Sequence, residues 1–350
     1  MMREKKYCVC FAMVMMGGML NGVVCAGVPE LTYTTEMQTD FRKGVNWVNL
    51  LRADFSCSLG RGFQLDMASI SISETRSEPL VADLQVFSNI EEENLPFAPA
   101  VLGITYSKGN SRLFAGIRNV NEDYFTSPCT SFFTNSSCGI FPTLSASYPL
   151  ANYPKASLGV DYKLRFREWM MELSVYNGTG YSDLAGRENI FRFCPSSDGV
   201  LGLATVNYQK NGNGYYMGAG VHRSLCTGDE MGTEEAFTSQ SKKRVTWAWW
   251  TYLEQRIGHN MYALLQYSVN PSVQEGCRSY AGVGCVVEAG KFSAGVFTDY
   301  ADFICAHEWA TELSCKLACS DHMFLQPAVH FIQNSSGSYT AALIRMQYSF

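Results

Sequence analysis

Lys163, Arg165 and Arg167 recur at every second position, and Asp161 and Gly159 extend the same row. The interleaved row, Leu158, Val160, Tyr162, Leu164 and Phe166, is apolar. Side chains alternate across a strand, so such a segment has one charged face and one oily face. The division recurs along the chain. Glu254 and Arg256 share a row with Tyr252, opposite Trp247, Trp249, Thr251 and Leu253. Glu308, Glu312 and Lys316 oppose a row read as continuous from Phe303 through Cys305, Trp309, Leu313, Cys315 and Leu317. Gln326 and His330 oppose Leu325, Pro327, Val329 and Phe331, and Arg345 opposes Ile344, Met346, Tyr348 and Phe350. Such rows suit recognition of a polar solute in passage. The arginine guanidinium is a planar fork of donors that fits paired hydroxyls, and a constriction of donors and acceptors sets what a pore admits. The rows nominate Lys163, Arg165, Arg167, Glu254, Arg256, Glu308, Glu312, Lys316, Gln326 and Arg345, joined by Arg118. For each of them the alternative is a charge pair that only satisfies its neighbour.

Catalysis and metal binding find less support. None of the five histidines (His222, His259, His307, His322, His330) sits in a motif with a nucleophile, as a barrel lipase or protease would require. No cofactor motif is present. Cys8, Cys10 and Cys25 fall in the first 26 residues, which leaves ten of the 13 cysteines. These ten lack CxxC pairs, and no histidine spacing completes a zinc site. Cys129 and Cys138 bracket a short loop and are the preferred disulfide pair. Cys285, Cys305 and Cys315 read as small hydrophobes on the oily face.

The elements that would position these residues are strands. Arg3, Lys5 and Lys6 precede an apolar run to about Leu20, and Val24-Cys25-Ala26 fits a cleavage site, so residues 1–26 are expected to be a secretory signal. No later run of 18 apolar residues occurs, and mean hydropathy is −0.07, which excludes a helical membrane protein. The net charge of −5 argues against nucleic-acid binding, which needs a basic footprint. Residues 27–44 show no period and read as a periplasmic lead-in. From Val45 to the end the pattern is strand-like. Hairpins are expected at Lys108-Gly109-Asn110 and Asn211-Gly212, with short turns at 258–260 and 320–321 and long loops at 178–199 and 226–243. Short turns alternating with long loops are typical of transmembrane barrels. Pro327 lacks a ladder donor, so a bulge is expected there. The acidic run Glu91-Glu92-Glu93 reads as a solvated loop. Trp247, Trp249 and Trp309 read as lipid-interface anchors.

Residues 119–154 break the alternation. A structureless stretch of that length is usually functional, and in a barrel it would fold inward or cap the mouth. Its Tyr124, Phe125, Phe132 and Phe133 could stack on sugar rings, or pack against the wall.

This segment also carries a resemblance. The stretches QVFSNIEE (85–92), LFAGIRNVNEDYFTSPCTSFFTNSSCGIFPTLSASYP (113–149), YPKASLGVDYKLRF (153–166), SVYNGTG (174–180), GYYMGAGVHRSL (214–225) and MFLQPAVHFIQNSSG (323–337) resemble the carbohydrate-selective porins (OprB type) of Gram-negative outer membranes. The resemblance implies an all-β fold over residues 45–350: a transmembrane antiparallel up-and-down β-barrel of about 16 strands, closed by the C-terminal strand. It implies a water-filled, cofactor-free channel in the outer membrane, with a charged constriction through which small sugars diffuse. The expected partners are sugars, outer-membrane lipid and the barrel-insertion machinery, which would read Phe350. A monomer or weak homo-oligomer is expected. A plugged barrel with a structural or adhesive role, and a secreted β-sandwich, are the competing readings.

Overall fold

The computed structural model describes residues 27, 29–42, 44–226 and 242–350. The expected signal, and most of the loop expected at 226–243, lie outside these residues. The described residues form sixteen strands: β1 (Glu30–Thr39), β2 (Val45–Gly60), β3 (Phe63–Glu74), β4 (Leu95–Lys108), β5 (Ser111–Arg118), β6 (Ser157–Phe166), β7 (Trp169–Asn177), β8 (Val200–Lys210), β9 (Asn213–Cys226), β10 (Lys242–Ile257), β11 (Met261–Val269), β12 (Cys277–Ala289), β13 (Phe292–Phe303), β14 (His307–Ala318), β15 (Met323–Asn334) and β16 (Gly337–Ser349). Each pairs antiparallel with its sequence neighbours, and β1 pairs with β16, so the sheet closes into a barrel. Closure leaves no unpaired edge, which a bilayer requires of a sheet.

Alternation explains the wall. Trp47, Val160, Leu173, Val221, Trp247, Leu265, Leu313 and Ile344 are exposed on the outside, whereas their strand neighbours Asn46, Asp161, Glu172, His222, Gln266, Glu312 and Arg345 are buried on the inside. An exposed apolar belt over a polar interior is the inverse of a soluble protein and fits a lipid surround.

Three expectations need correction. The barrel starts at Glu30, not Val45: residues 30–39 pair with both β16 and β2. Thr32 and Thr34 face inward while Thr35 and Thr39 lie on the other row, so threonine on both faces hid the period. Pro327 causes no bulge. β15 keeps its register with β16 through Pro327↔Ile344. Against β14 the pairs opposite Gln326 and Pro327 are lost, yet the register is the same on both sides of the gap. The missing donor thus opens a ladder without shifting it. The row read across Phe303 to Leu317 is two strands, with Cys305 exposed in the turn between them. Cys285 and Cys315 do lie on the outer face, within an apolar furrow shared with Val296, Leu313 and Pro327.

Two connections turn inward. Residues 119–156 enter after β5 and bury Val120, Tyr124, Phe125, Phe132, Phe133, Phe141 and Leu144 against the inner wall. They hold one short α-helix, α1 (Pro142–Ser145), and three 3-10 turns. The wall supplies Tyr176, Leu203, Trp250, Tyr252, Tyr280 and Phe297. Residues 75–94 enter after β3 and place Leu80, Val81 and Phe87 against Ala310, Ala328, Ile332 and Leu343. The acidic run belongs to this second segment, and Glu91 is partly buried rather than solvated.

Candidate functional site

Most of the charged rows serve the inward segments. Glu312 accepts from Thr134 N (2.9 Å), Asn135 N (3.0 Å) and Thr134 Oγ1 (3.1 Å). Glu308 accepts from Leu84 N (2.7 Å), Gln85 N (3.1 Å) and Asn334 Nδ2 (2.8 Å). Glu254 accepts from Ser127 Oγ and from Cys129 N. Gln326 donates to Phe132 O (2.6 Å) and Ser314 Oγ. Arg345 pairs with Glu36 directly across the β1–β16 seam and donates to Asn89 Oδ1 (2.7 Å). His330 meets Thr134 Oγ1 at 3.0 Å. All six side chains are buried. A carboxylate that takes up backbone amides of an irregular segment provides the partners its own ladder would have supplied. These side chains are engaged by the inner segments and the wall.

The remaining candidates divide. Arg167 lies in the turn after β6 at positive φ (53°) and Arg165 is exposed near the same rim. Arg256 donates to His259 O in its own turn, and Lys316 sits 3.7 Å above the Phe324 ring. Arg118 and Lys163 both pair with Asp123. The aromatic candidates are internal: Phe125 packs against Trp250 and Phe141, Phe133 against Phe297, and Phe132 against Phe133. Tyr124 donates to or accepts from Ser174 Oγ. All four are buried, so they pack the wall and present no face to a sugar. Cys129 and Cys138 are free thiols, not a disulfide. The apolar segment that buries both seats them at separate points, Cys129 N on Glu254 and Cys138 within its own 3-10 turn. Cys57 is disulfide-bonded.

Among inward polar side chains that keep contact with solvent are residues of β2, β3, β5 and β6. Arg52 stands out, with a side chain 30% exposed. It bridges wall and inner segment. Nε and Nη2 donate to Asp54 (2.8 and 2.7 Å), and Nη1 and Nη2 donate to Glu122 (2.7 and 3.0 Å). Asp54 is 37% and Glu122 15% exposed. Asp66, partly exposed, accepts from Gln64, Ser56 and Thr105. Arg112 and Lys163 are cross-strand partners on the facing strands. Three cations and three carboxylates thus line one sector with nearly balanced charge. Alternation alone would have found Arg52 and Asp54, since they continue the row Asn46, Val48, Leu50. The pairing of Arg52 with Glu122 depended on where the segment turned inward.

Beside this sector the second inner segment carries perturbed carboxylates. Burial, then the nearby Glu308 charge, pushes Asp83 up to about 7. Burial, then the charges of Asp83, Glu74 and Glu36, pushes Glu91 up to about 8. Burial disfavours the charged form, and like charges add to it.

No family model matches the chain. No curated protein matches it. Solved structures do match in fold. "High pH structure of Pseudomonas putida OprB" superposes with a TM-score of 0.77 at 13% identity, covering 93% of this chain and 94% of that one. A mutant Rh. blastica porin gives 0.60 at 7% identity, covering 93% and 100%. OmpT, an outer membrane protein of Vibrio cholerae, gives 0.58 at 10%, covering 93% and 99%. The chain therefore has the closed sixteen-strand fold of outer-membrane porin barrels, and its outward apolar belt agrees with that setting.

Proposed function

We propose that this protein is an outer-membrane channel for passive diffusion of small, uncharged, hydroxyl-rich solutes of the sugar class. The supporting observation is the accessible sector around Arg52, Asp54 and Glu122. It offers a guanidinium fork and carboxylate acceptors at near-zero net charge, which can replace sugar hydration without drawing in ions of one sign. Lys163, Arg112 and Asp66 extend this lining. The inner segments pack against β7–β16, which supports a narrow path along β2–β6. Phe350 is exposed next to Tyr348 at the β1–β16 seam, where insertion machinery would meet it.

The test is liposome swelling with a panel of mono- and disaccharides, paired with single-channel recording. Monosaccharides should enter faster than disaccharides, and sugar should reduce the ionic current. Arg52→Ala should speed the entry of disaccharides and blunt the sugar block. Solutes of one size entering equally would leave a general pore. Silent bilayers would favour a plugged scaffold, a reading supported by the depth to which the two inner segments fill the barrel.

A further inference from the structure

A second polar cluster lies beside that passage and shares only Lys163 with it. Asp123 of the inner segment, Asp161 of β6 and Glu172 of β7 each bring a carboxylate oxygen within 4.8 Å of the others. Asp161 and Glu172 are 1% exposed. Two cations face them: Arg118 Nη1 lies 2.8 Å from Asp123, and Lys163 Nζ contacts Asp123 and lies 3.2 Å from Glu172. Three carboxyl groups face two cations in a dry site, so without a further cation one of them must keep its proton.

A group outside the acidic set points into the same space. The Tyr176 side chain is 1% exposed, and its hydroxyl makes no well-formed hydrogen bond among the described residues, with only the already engaged Ser174 beside it. Gly159 holds its ring against β6: a Cβ there would stand 2.3 Å from Tyr176 Cδ1. The hydroxyl lies within electrostatic reach of Asp123 and Asp161 and beside Ser174. Ser174 Oγ is already engaged, by Tyr124 OH at 2.5 Å and Asp161 Oδ2 at 2.6 Å. Asp161 and Glu172 turn carboxyl groups toward each other, a contact that takes a shared proton or a cation between them. Buried oxygens without partners need a reason.

We propose that Asp123, Asp161, Glu172 and the Tyr176 hydroxyl form a divalent-cation site of the calcium class, filled in exchange for the Lys163 ammonium. The donors are all hard oxygens, which suit calcium. Calcium–oxygen contacts of about 2.4 Å let one ion reach ligands up to about twice that far apart, so oxygens as close as these can share one ion. The charge also balances. With Lys163 withdrawn, Arg118 alone opposes three carboxylates, and the remaining two negative charges match one divalent ion. Lys163 is the group able to leave: its side chain is 15% exposed, it borders the passage opposite Arg112, and its stem is flexible. Arg118 is held over the Phe114 ring at 4.7 Å. The ammonium keeps its proton as it swings into the passage.

The experiment is calorimetric titration of the full-length protein in detergent, stripped with chelator, using calcium chloride with magnesium chloride as comparator. One saturable calcium site is expected, with weaker magnesium binding. Lys163→Met should bind calcium about tenfold more tightly, because the competitor is gone, and Glu172→Gln should lose the site. Should Glu172→Gln not fold, Lys163→Met still decides, since it keeps all three carboxylates. No uptake at millimolar calcium by wild type and Lys163→Met overturns the site. Equal affinity in the two overturns the exchange. The measurement is independent of conductance, so it stands or falls apart from the sugar channel.

Discussion

Glu312 shows what a single inward carboxylate does here. It is fully buried and takes two backbone amides and one hydroxyl from Thr134 and Asn135. Those donors belong to an irregular segment with no ladder to satisfy them. Glu312→Ala would leave two buried amide donors unmet, since the Thr134 hydroxyl keeps His330, and unsatisfied buried groups cost about 1–3 kcal/mol each. The expected result is release of residues 119–156 from the β14 wall, read as larger and noisier single-channel conductance with the barrel itself still folded. Glu312→Gln keeps an acceptor oxygen and should give a smaller change. Arg345→Ala should act in the same direction through Asn89 and Glu36. An unchanged conductance in both alanine variants would mean that the segment is held without them.

At the level of elements, the two inward segments behave as one body. Asn89 N donates to Thr134 O (2.7 Å), Ser136 N donates to Val86 O (3.1 Å), and Ser137 Oγ donates to Gln85 Oε1 (2.7 Å). Val86 holds this junction at φ 57°, a conformation a β-branched residue adopts only where its surroundings enforce it. Asp83 and Glu91 make the 75–94 segment sensitive to pH. Their folded pKa values, about 7 and about 8, lie above the ordinary carboxylate range. The folded state therefore holds protons that the unfolded chain has released. Their contribution is fully present below the ordinary carboxylate pKa and is lost as pH rises through about 7 to 8. Hydrogen exchange, corrected for intrinsic rate, should show the amides of Leu84, Gln85 and Phe87 well protected near pH 5 and less so above pH 8, as estimated from burial and like charge. Asp83→Asn should flatten much of that dependence. Protection that is constant across this range would contradict the assignment.

For the whole molecule, orientation in lipid is testable by its tryptophans. Five of the six, Trp47, Trp169, Trp247, Trp249 and Trp309, are exposed on the outer face, and Trp250 is fully buried. Trp250 packs inside against Phe125 and over Gly218, where a Cβ would stand 2.3 Å from its Cζ2. Brominated lipid should quench most of the fluorescence and leave a residue that Trp250→Phe removes. Complete quenching by lipid would place Trp250 on the wrong side of the wall. Gly218→Val should block closure of this contact and destabilise the inner segment, by a few kcal/mol on the scale of overpacked cores.

The period of two that runs from Val45 to Phe350 was enough to set strand type, the inside and outside of each strand, and most turns. It did so because side-chain direction in a strand is a local property of the backbone. It failed at Glu30–Thr39, where threonine on both faces carries no contrast, and at Pro327, where the neighbouring strand absorbs a lost hydrogen bond without changing register. The destination of an inward charge was decided only by tertiary structure. Glu254, Glu308 and Glu312 stand on the same kind of row as Arg52 and Asp54. The first three were claimed by backbone amides of segments arriving from more than 120 residues away in sequence, while Arg52 met only the Glu122 side chain and stayed, with Asp54, partly exposed. Periodicity says which side a residue takes; only the path of the inward segments says what it meets there.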